Sequence, residues 1–304
     1  MAFKGTGTAL VTPFTDTGID YDGLGRLIDW QIEEGVEFLV VLGTTGESPA
    51  VTEAEREAVV AFAVKKAAGR VPVVIGTGGN NTEHAIRSSR AAKALGADAV
   101  LVVTPYYNKP SQEGLFRHFK TVAEAAEVPM ILYNVPGRTG VNLLPDTVVR
   151  LAGVENIVAL KEASGSQAQV DETLRKLRPV RPDFSVLSGN DDQAFHLVNA
   201  GGQGVVSVLS NIAPRATSDM IRAALDGRVA EARELHMRLF PLMKSLFMET
   251  NPMPVKYAVS RLGFCADTLR LPLVTCSETC RAQVDKDMRE CGLLGSVPKR
   301  EQKG

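Results

Sequence analysis

The amino-acid sequence predicts an α/β fold, a (β/α)8 TIM barrel, followed by a small C-terminal α-helical domain. Eight short runs rich in β-branched residues recur along the chain, and each is apolar on both faces, as buried parallel strands are. Amphipathic helical stretches separate these runs. The runs begin at intervals of roughly 25–35 residues, which is the length of one βα unit.

The predicted strands occupy residues 8–14, 36–43, 71–78, 98–105, 128–136, 156–162, 184–190 and 204–211. Helix signals lie between them: Thr52 and Glu55 form a capping-box pattern, Ser111 precedes a second helical stretch, and Gly69 and Gly96 stand where helices should end. Eight such units favour a closed barrel. An open doubly wound sheet is the alternative, but no Gly-x-Gly-x-x-Gly helix start follows the first strand.

The strand pattern stops after the eighth run, and the chain from Pro214 to Gly292 has helical patterns. We therefore predict a catalytic barrel domain over residues 1–225 and a C-terminal helical domain over residues 226–294. The last residues, 295–304, are polar and predict a disordered tail.

Composition narrows the classes of function. Hydrophobic residues make up 44% of the chain, charged residues 23%, and the formal net charge is −1. This balance argues against nucleic acid or an anionic membrane as the main partner, because both select a basic face. No apolar run approaches the roughly 20 residues of a membrane span, and the N-terminal residues lack a signal-peptide pattern. We expect a cytoplasmic protein.

Four cysteines, Cys265, Cys276, Cys280 and Cys291, lie in the last quarter of the chain. Cys276 and Cys280 are four residues apart and would share a face of a helix. A metal or redox site is one interpretation. Reduced cytosolic thiols are favoured, because no Cys-x-x-Cys pair or nearby histidine accompanies them. No metal site is predicted.

Active sites of such barrels lie at the C-terminal ends of the strands. Four predicted strand ends carry chemically capable groups: Gly43–Ser48, Thr104–Asn108, Tyr133–Gly140 and Lys161–Glu162. These ends meet at one mouth of the barrel, where they supply an amine, hydroxyls, phenols and a guanidinium.

Lys161 is the candidate nucleophile at this mouth. An amine held against apolar walls can attack a ketone and form an imine, which then acts as an electron sink. A lysine at a strand end more often only extends to solvent. Here its neighbours favour chemistry: Tyr133 and Tyr107 are phenols that can relay protons, and Thr44 can bridge them through its hydroxyl.

Other residues at the mouth suit a carboxylate. Arg138 lies in a Pro-Gly-Arg-Thr-Gly turn, and its guanidinium has the planar fork that matches a carboxylate. Gly43 and Gly46 allow a tight turn whose backbone N–H groups can hold an anion. A solvated loop arginine and an ordinary glycine turn are the alternatives for each feature alone.

With these residues in view, the sequence closely resembles the 4-hydroxy-tetrahydrodipicolinate synthase (dihydrodipicolinate synthase) family from Gly5 to about Leu294. The matching segments are Gly43–Glu47, Val103–Asn108, Tyr133–Gly140, Lys161–Ala163, Ser188–Asp192, Gly204–Ser207 and Asn251–Lys256. The resemblance implies a lyase of the pyruvate-dependent class I superfamily. Such a lyase uses no cofactor beyond the covalent imine on its own lysine, here Lys161.

The resemblance also implies a reaction and its residues. Pyruvate would condense with L-aspartate 4-semialdehyde on Lys161, the first committed step of diaminopimelate and lysine biosynthesis. Tyr133, Thr44 and Tyr107 would relay protons, with Tyr107 lent by a neighbouring subunit of a homotetramer built as a dimer of dimers. The predicted substrate-binding residues are Thr45, Arg138, Gly189 and Val206, the last two through their backbone carbonyls.

Two other functions remain open at this point. One is another lyase of the same superfamily, such as an N-acetylneuraminate lyase or a keto-deoxy sugar-acid aldolase. Arg138 and the Tyr-Tyr-Asn at Tyr106–Asn108 argue against it. The other is a non-catalytic barrel that acts as a binding module, which has no use for the full lysine, tyrosine and threonine set.

The resemblance also indicates an allosteric pocket in an altered form. Lysine-inhibited members bind lysine with residues that match Ser48, Asn80 and Tyr106 here. They carry histidines at the positions of Glu53 and Arg56, and a glutamate at that of His84. The glutamate that should bind the lysine ammonium is replaced by His84, and Arg56 adds a positive charge that repels this ammonium. We therefore predict weak or absent inhibition by lysine.

Overall fold

The computed structural model describes residues 3–295 and confirms the predicted barrel. Eight parallel strands close in the order β1 to β8, with β1 paired to β8. Their bounds are Gly5–Ala9, Phe38–Val41, Val73–Gly76, Ala99–Val103, Met130–Asn134, Ile157–Glu162, Ser185–Ser188 and Gly204–Ser207. The open-sheet alternative is wrong. Of the predicted tail, residues 296–304 lie outside the described residues.

Twelve α-helices occupy the described part of the chain. In order, α1 to α12 span Tyr21–Glu33, Glu53–Ala67, Thr82–Ala94, Gln112–Ala126, Pro136–Thr139, Pro145–Ala152, Gln167–Leu177, Asp191–Asn199, Pro214–Leu225, Val229–Ser245, Met253–Arg261 and Glu278–Glu290. Two short 3-10 helices, Ser48–Ala50 and Leu209–Asn211, follow the ends of β2 and β8.

The predicted position of the first strand was wrong. The strand lies at Gly5–Ala9, and the apolar run after it leaves the barrel, burying Leu10 and Phe14 against the helices. A Cβ at Gly7 would stand 2.0 Å from the Phe38 ring, so this strand needs glycine where the barrel floor is filled by an aromatic side chain. A strand built from glycine and threonine lacks the β-branched apolar pattern by which the other strands were found.

Predicted helix starts agree with the structure. Thr52 and Glu55 form a reciprocal capping box at the start of α2. The Ser111 hydroxyl accepts a hydrogen bond from the Gly114 N–H, at 3.3 Å, at the start of α4. Helix α9 ends at Leu225 and α10 begins at Val229. We propose that the boundary between the barrel and helical domains lies in the three residues between them.

The alternation of strand side chains aims Lys161 into the barrel. Ile131 and Tyr133 on β5 and Ala159 on β6 belong to the apolar cluster that fills the barrel interior. Lys161 is two residues beyond Ala159, so it has the same orientation and lies at the C-terminal end of the strand. Its neighbour Glu162 has the opposite orientation and bonds Gln169 of α7.

The four cysteines are free thiols in the structure, and two of them are buried. Cys280 lies in α12, but Cys276 precedes its N-cap, so the expectation that the two share a helix face was wrong. Burial raises the pKa of Cys280 and that of Cys265 to about 12, which keeps these thiols protonated and unreactive at neutral pH.

Residues 3–295 offer neither a membrane-spanning helix nor a cluster of metal-ligating side chains. No helix in this range is long and apolar enough to cross a membrane. Within the same residues, no group of three or more His, Cys, Asp or Glu side chains is arranged to hold a metal ion.

One buried histidine predicts how stability depends on pH. Burial lowers the pKa of His118 on α4 to about 4, and its Nδ1 lies 2.9 Å from the Thr82 hydroxyl. In the unfolded chain the histidine has a pKa near 6.5, whereas in the folded protein it stays neutral down to about pH 4. The folded state is therefore favoured fully above pH 6.5, and this contribution to stability is lost as the pH falls towards 4. We expect the free energy of unfolding to fall by up to about 3 kcal/mol over this window.

Urea denaturation of the wild type and His118→Asn across this pH range measures the effect. Asparagine keeps a polar partner for Thr82 but does not titrate, so its pH dependence should be flatter. Equal slopes for both proteins would contradict the assignment.

Candidate active site

The C-terminal ends of β5 and β6 bring Lys161 and Tyr133 together. The two residues are register partners on adjacent strands, and the Lys161 Nζ lies 4.3 Å from the centroid of the Tyr133 ring. Lys161 is only 5% exposed. Among the described residues its amine has no carboxylate or hydrogen-bond partner, unlike the other buried lysine, Lys256. The site therefore holds a buried amine in contact with a phenol.

Glycine at position 189 makes room for the Lys161 side chain. A Cβ there would lie 3.0 Å from the Lys161 Cε and 2.6 Å from the Ala163 Cβ. The Gly189 N–H donates to the Glu162 carbonyl at 2.7 Å, which fixes the end of β7 against that of β6. Val206, also predicted to face the site, is fully buried in the interior layer that contains Tyr133.

A carboxylate behind Lys161 stabilises the end of its strand. Glu162 is buried and accepts hydrogen bonds from the Ser164 N–H at 2.6 Å, from Gln169 at 3.1 Å and from Asn134 at 3.2 Å. Buried polar groups satisfied in this way fix one geometry. Because Glu162 points away from the barrel interior, it positions the strand and is not directed at the Lys161 amine.

A cavity of about 330 Å³ opens at the barrel mouth. Its walls include Thr44, Tyr133 and Arg138, three of the predicted residues, together with Gly43 and Tyr106. Lys161, Thr45, Gly189 and Val206 do not line this cavity. The Lys161 amine instead contacts the ring of Tyr133, which is part of the cavity wall.

The turn after β2 presents Thr44 to the cavity and turns Thr45 away from it. Hydrogen bonds from the Gly46 N–H to the Gly43 carbonyl and from the Glu47 N–H to the Thr44 carbonyl, both 3.1 Å, close the turn. Thr45 is buried, and its hydroxyl accepts a hydrogen bond from the Asn251 Nδ2 at 3.0 Å.

Asn251 is a site residue that sequence reasoning missed. Its carbonyl accepts a hydrogen bond from the Arg138 Nη2 at 3.0 Å, while its side chain holds Thr45. Asn251 also lines the cavity. One residue from the C-terminal part of the chain thus fixes two predicted substrate-binding residues. Its only signal in the sequence was the Asn251–Lys256 segment noted as part of the resemblance.

A buried ion pair anchors the same turn. Glu47 is left-handed, with φ of 53°, and its carboxylate pairs with Lys256 of α11, which is completely buried. Lys256 also donates to the Thr12 carbonyl at 2.8 Å and lies 4.1 Å from the centroid of the Phe14 ring. Burial lowers the pKa of Lys256, and the Glu47 carboxylate opposes that shift. The pair ties the turn to the C-terminal helices.

Tyr107 does not reach this cavity within its own chain. It is 89% exposed and has a φ of +70°, a strained conformation for an aromatic residue. The Asn108 N–H donates to the Tyr106 carbonyl at 2.8 Å, closing a γ-turn centred on Tyr107. The strained backbone of this loop therefore keeps the aromatic side chain of Tyr107 exposed to solvent.

The model of the dihydrodipicolinate synthetase family matches residues 2–291. The chain belongs to that family.

Relatives in the dihydrodipicolinate synthetase family match over almost the whole length. A protein of Kosmotoga olearia named 4-hydroxy-tetrahydrodipicolinate synthase is 58% identical, covering 96% of this chain and 99% of its own. The crystal structure of dihydrodipicolinate synthase from Thermotoga maritima, 47% identical, superposes with a TM-score of 0.95, covering 97% of this chain and 100% of that chain.

A third similar structure contains bound pyruvate. The chloride-inhibited dihydrodipicolinate synthase of Acinetobacter baumannii, complexed with pyruvate, is 41% identical and has a TM-score of 0.92, covering 96% of this chain and 99% of that one. These relatives favour the synthase over the sugar-acid lyases considered above. The chain is an enzyme of the lyase class.

The residues predicted for an allosteric pocket line one second cavity, of about 460 Å³. Its walls include all six: Ser48, Glu53, Arg56, Asn80, His84 and Tyr106. Arg56 donates to the Ser48 hydroxyl at 2.6 Å, and the His84 Nε2 lies 3.2 Å from the Glu53 carboxylate. Glu53 is thus the only carboxylate among the residues that line this cavity, and it is already in contact with His84.

Proposed function

We propose that this enzyme condenses pyruvate with L-aspartate 4-semialdehyde through an imine on Lys161, giving 4-hydroxy-tetrahydrodipicolinate. This is the first committed step of diaminopimelate and lysine biosynthesis. The observation that carries the proposal is the buried Lys161 amine, held 4.3 Å from the centre of the Tyr133 ring at the strand ends. The reaction needs no other cofactor, because the imine itself is the electron sink.

The proposed steps balance with the loss of one water. The Lys161 amine attacks the keto carbon of pyruvate, water leaves, and the imine loses a methyl proton to become an enamine. The enamine carbon attacks the aldehyde carbon of the second substrate, whose oxygen becomes the hydroxyl of the product. The amino group of that substrate then attacks the imine carbon, closing the ring and releasing the Lys161 amine.

Protons for these steps are assigned to Tyr133, Thr44 and Tyr107. Tyr133 touches the amine, and Thr44 shares the cavity wall with Tyr133. Tyr107 points away from its own cavity, so its part in the relay requires a neighbouring subunit. We accordingly propose a homotetramer, a dimer of dimers, acting in the cytoplasm where the substrates of amino-acid biosynthesis are found.

Arg138 is assigned to a substrate carboxylate. Its guanidinium lines the cavity and is oriented by the Asn251 carbonyl. Thr45, Gly189 and Val206 are assigned to pyruvate and to the edges of the site. Thr45 is held by Asn251, and Gly189 lies against Lys161.

The Arg138→Gln variant should lose about 100-fold in kcat/KM for the aldehyde, because hydrogen bonds to a charged group contribute about 1.5–3 kcal/mol. Arg138→Lys is the matched variant: it keeps the charge but loses the fork, and should recover only part of the loss. Steady-state kinetics with each substrate varied in turn checks this. An unchanged kcat/KM in Arg138→Gln would remove Arg138 from the site.

Turnover of three candidate substrates tests the proposed function itself. The enzyme is expected to consume pyruvate with aspartate semialdehyde and to leave N-acetylneuraminate and keto-deoxy sugar acids uncleaved. Cleavage of a sugar acid, without condensation of the semialdehyde, would favour the other lyases. A protein inactive on all of them would favour a binding module.

L-Lysine at millimolar concentration should leave the initial rate almost unchanged. The guanidinium of Arg56 repels a ligand ammonium in the second cavity, and Glu53 is paired with His84. The His84→Glu variant adds a carboxylate to the same wall and is expected to be more sensitive to lysine. Strong inhibition of the wild type would refute the prediction.

A further inference from the structure

Glu162 holds a buried negative charge that has no cation in contact with it. Its side chain is 3% exposed, and within residues 3–295 no lysine, arginine or histidine lies within ion-pair distance of the carboxylate. The two oxygens accept hydrogen bonds from the Ser164 N–H, the Asn134 amide and the Gln169 amide. Because each of these contacts is an N–H donor, the arrangement suits an ionised carboxylate.

Both buried lysines of the described chain have a buried carboxylate beside them. Lys256 is in direct contact with Glu47, at the turn after β2. Lys161 touches no carboxylate among residues 3–295, but the next residue of its strand is the buried Glu162. Buried charges are tolerated when an opposite charge compensates them, so the position of Glu162 makes it the compensating charge for Lys161.

The alternation of strand side chains keeps this carboxylate away from the amine. Lys161 points into the barrel beside Tyr133, whereas Glu162 points outward beside its register partner Asn134. A carboxylate in direct contact would hold the amine as an ammonium ion and occupy the nitrogen that must attack pyruvate. A carboxylate one residue away leaves the nitrogen free. Its charge still acts there, because the protein interior screens charges weakly.

We propose that Glu162 is a positioning residue that supplies the counter-charge for the cationic imine formed on Lys161. The inference rests on the proposed function, in which this imine is the first covalent intermediate. Two unit charges roughly 10 Å apart in a protein interior change an equilibrium by about tenfold. An effect of this size is therefore expected without any contact between the carboxylate and the imine.

The step that depends on this charge is the formation of the enamine. A methyl C–H bond of the bound pyruvate breaks, its electron pair forms the new C=C bond, and the C=N electrons move onto the nitrogen. The proton passes to the solvent. The nitrogen accepts the electrons readily only while the imine is protonated, and the Glu162 carboxylate stabilises that positive charge.

Exchange of the pyruvate methyl hydrogens for deuterium in heavy water, followed by proton NMR, isolates this step. The exchange needs the enamine but no second substrate. Glu162→Gln keeps the size of the side chain and removes its charge, so it should slow the exchange about tenfold at saturating pyruvate. Glu162→Asp keeps the charge on a shorter side chain, and its exchange should stay close to the wild-type rate.

Urea denaturation of the same variants separates the charge from the structural role of the side chain. Both substitutions disturb the hydrogen bonds of Glu162, so both should lower the free energy of unfolding. The exchange rate should follow the charge and not the stability. If Glu162→Gln does not fold, the double variant Glu162→Gln with Gln169→Glu replaces it. This variant moves the carboxylate to α7 within the same network, and it should exchange more slowly than Glu162→Asp.

Asp171→Asn is the matched control for the loss of one negative charge. Asp171 is an exposed residue of α7 whose carboxylate accepts a hydrogen bond from Gln167 at 2.8 Å. Solvent screens its charge, so this variant should exchange at the wild-type rate. Lys161→Met, which cannot form the imine, should show no exchange above the rate without enzyme.

Three results would overturn the role of Glu162 and leave the imine intact. They are wild-type exchange in Glu162→Gln, equal slowing in Glu162→Gln and Glu162→Asp, and equal slowing in Glu162→Gln and Asp171→Asn. In each of them the wild type exchanges and Lys161→Met does not. Exchange that persists in Lys161→Met, or that is absent from the wild type, would instead contradict the proposed function and this inference with it.

Discussion

The Lys161→Met variant is expected to lose at least about 1000-fold in turnover, because none of the residues that line the mouth cavity is a lysine that could form the imine in its place. Methionine has a similar length and suits the apolar interior, so the barrel should fold with an unchanged thermal transition. Turnover of pyruvate with aspartate semialdehyde measures the loss, and circular dichroism checks the fold.

Lys120→Met is the matched control for this loss. Lys120 lies on the outer face of α4, paired with Glu124 at 3.7 Å. Its removal should leave turnover unchanged. Residual activity in Lys161→Met above a few per cent of the wild type would mean that Lys161 does not form the covalent intermediate.

The second large effect is expected at the buried Glu47–Lys256 pair. Lys256→Met removes one charge and leaves Glu47 buried without its counter-ion, which destabilises a protein by about 3–5 kcal/mol. The Glu47 carboxylate also accepts a hydrogen bond from the Arg270 N–H at 3.1 Å, and a glutamine can keep that bond. The double variant Glu47→Gln with Lys256→Met should therefore be more stable than Lys256→Met alone.

A double-mutant cycle measures the coupling between the two positions. It needs the free energy of unfolding, from chemical denaturation, of the wild type, both single variants and the double variant. Strong coupling between the two positions is the predicted result, since the residues are in contact. Additive losses would mean that the pair contributes nothing as a pair. The turn that presents Thr44 depends on this anchor, so turnover of Lys256→Met should also fall.

The fold was predictable because seven of its strands carry runs of buried apolar residues, whereas β1, although equally buried, consists of glycine and threonine with one alanine. Strand β1 was misplaced because packing against Phe38 demands glycine at Gly7, and a φ of +89° beside the Glu37 side chain demands it at Gly5; glycine carries no such signal. Strand bounds elsewhere were predicted too long, since the apolar runs continue past the last ladder hydrogen bond into the buried loops of the mouth.

Residues at the strand ends could be found from position alone, and these include Lys161, Tyr133 and Arg138. Asn251 and Lys256 could not, because their partners Thr45 and Glu47 lie more than two hundred residues away in the sequence. No periodicity or short motif connects such positions. Only the folded structure shows that a loop and a helix from the C-terminal part of the chain fix the turn after β2.

The second cavity shows the same limit. Six of its residues were predicted from the resemblance to the family, and in the structure all six line this one cavity. These six residues come from the segments after β2, β3 and β4 and from α2 and α3, so no periodicity of the sequence connects them.

Trapping the covalent intermediate tests the central assignment most directly. The enzyme is incubated with pyruvate and sodium borohydride, digested, and its peptides are sequenced by mass spectrometry. Reduction of the imine should leave one carboxyethyl group on the Nζ of Lys161 and abolish turnover, with Lys120 unmodified. A protein that is not modified, or that carries the group on another lysine, would contradict the account.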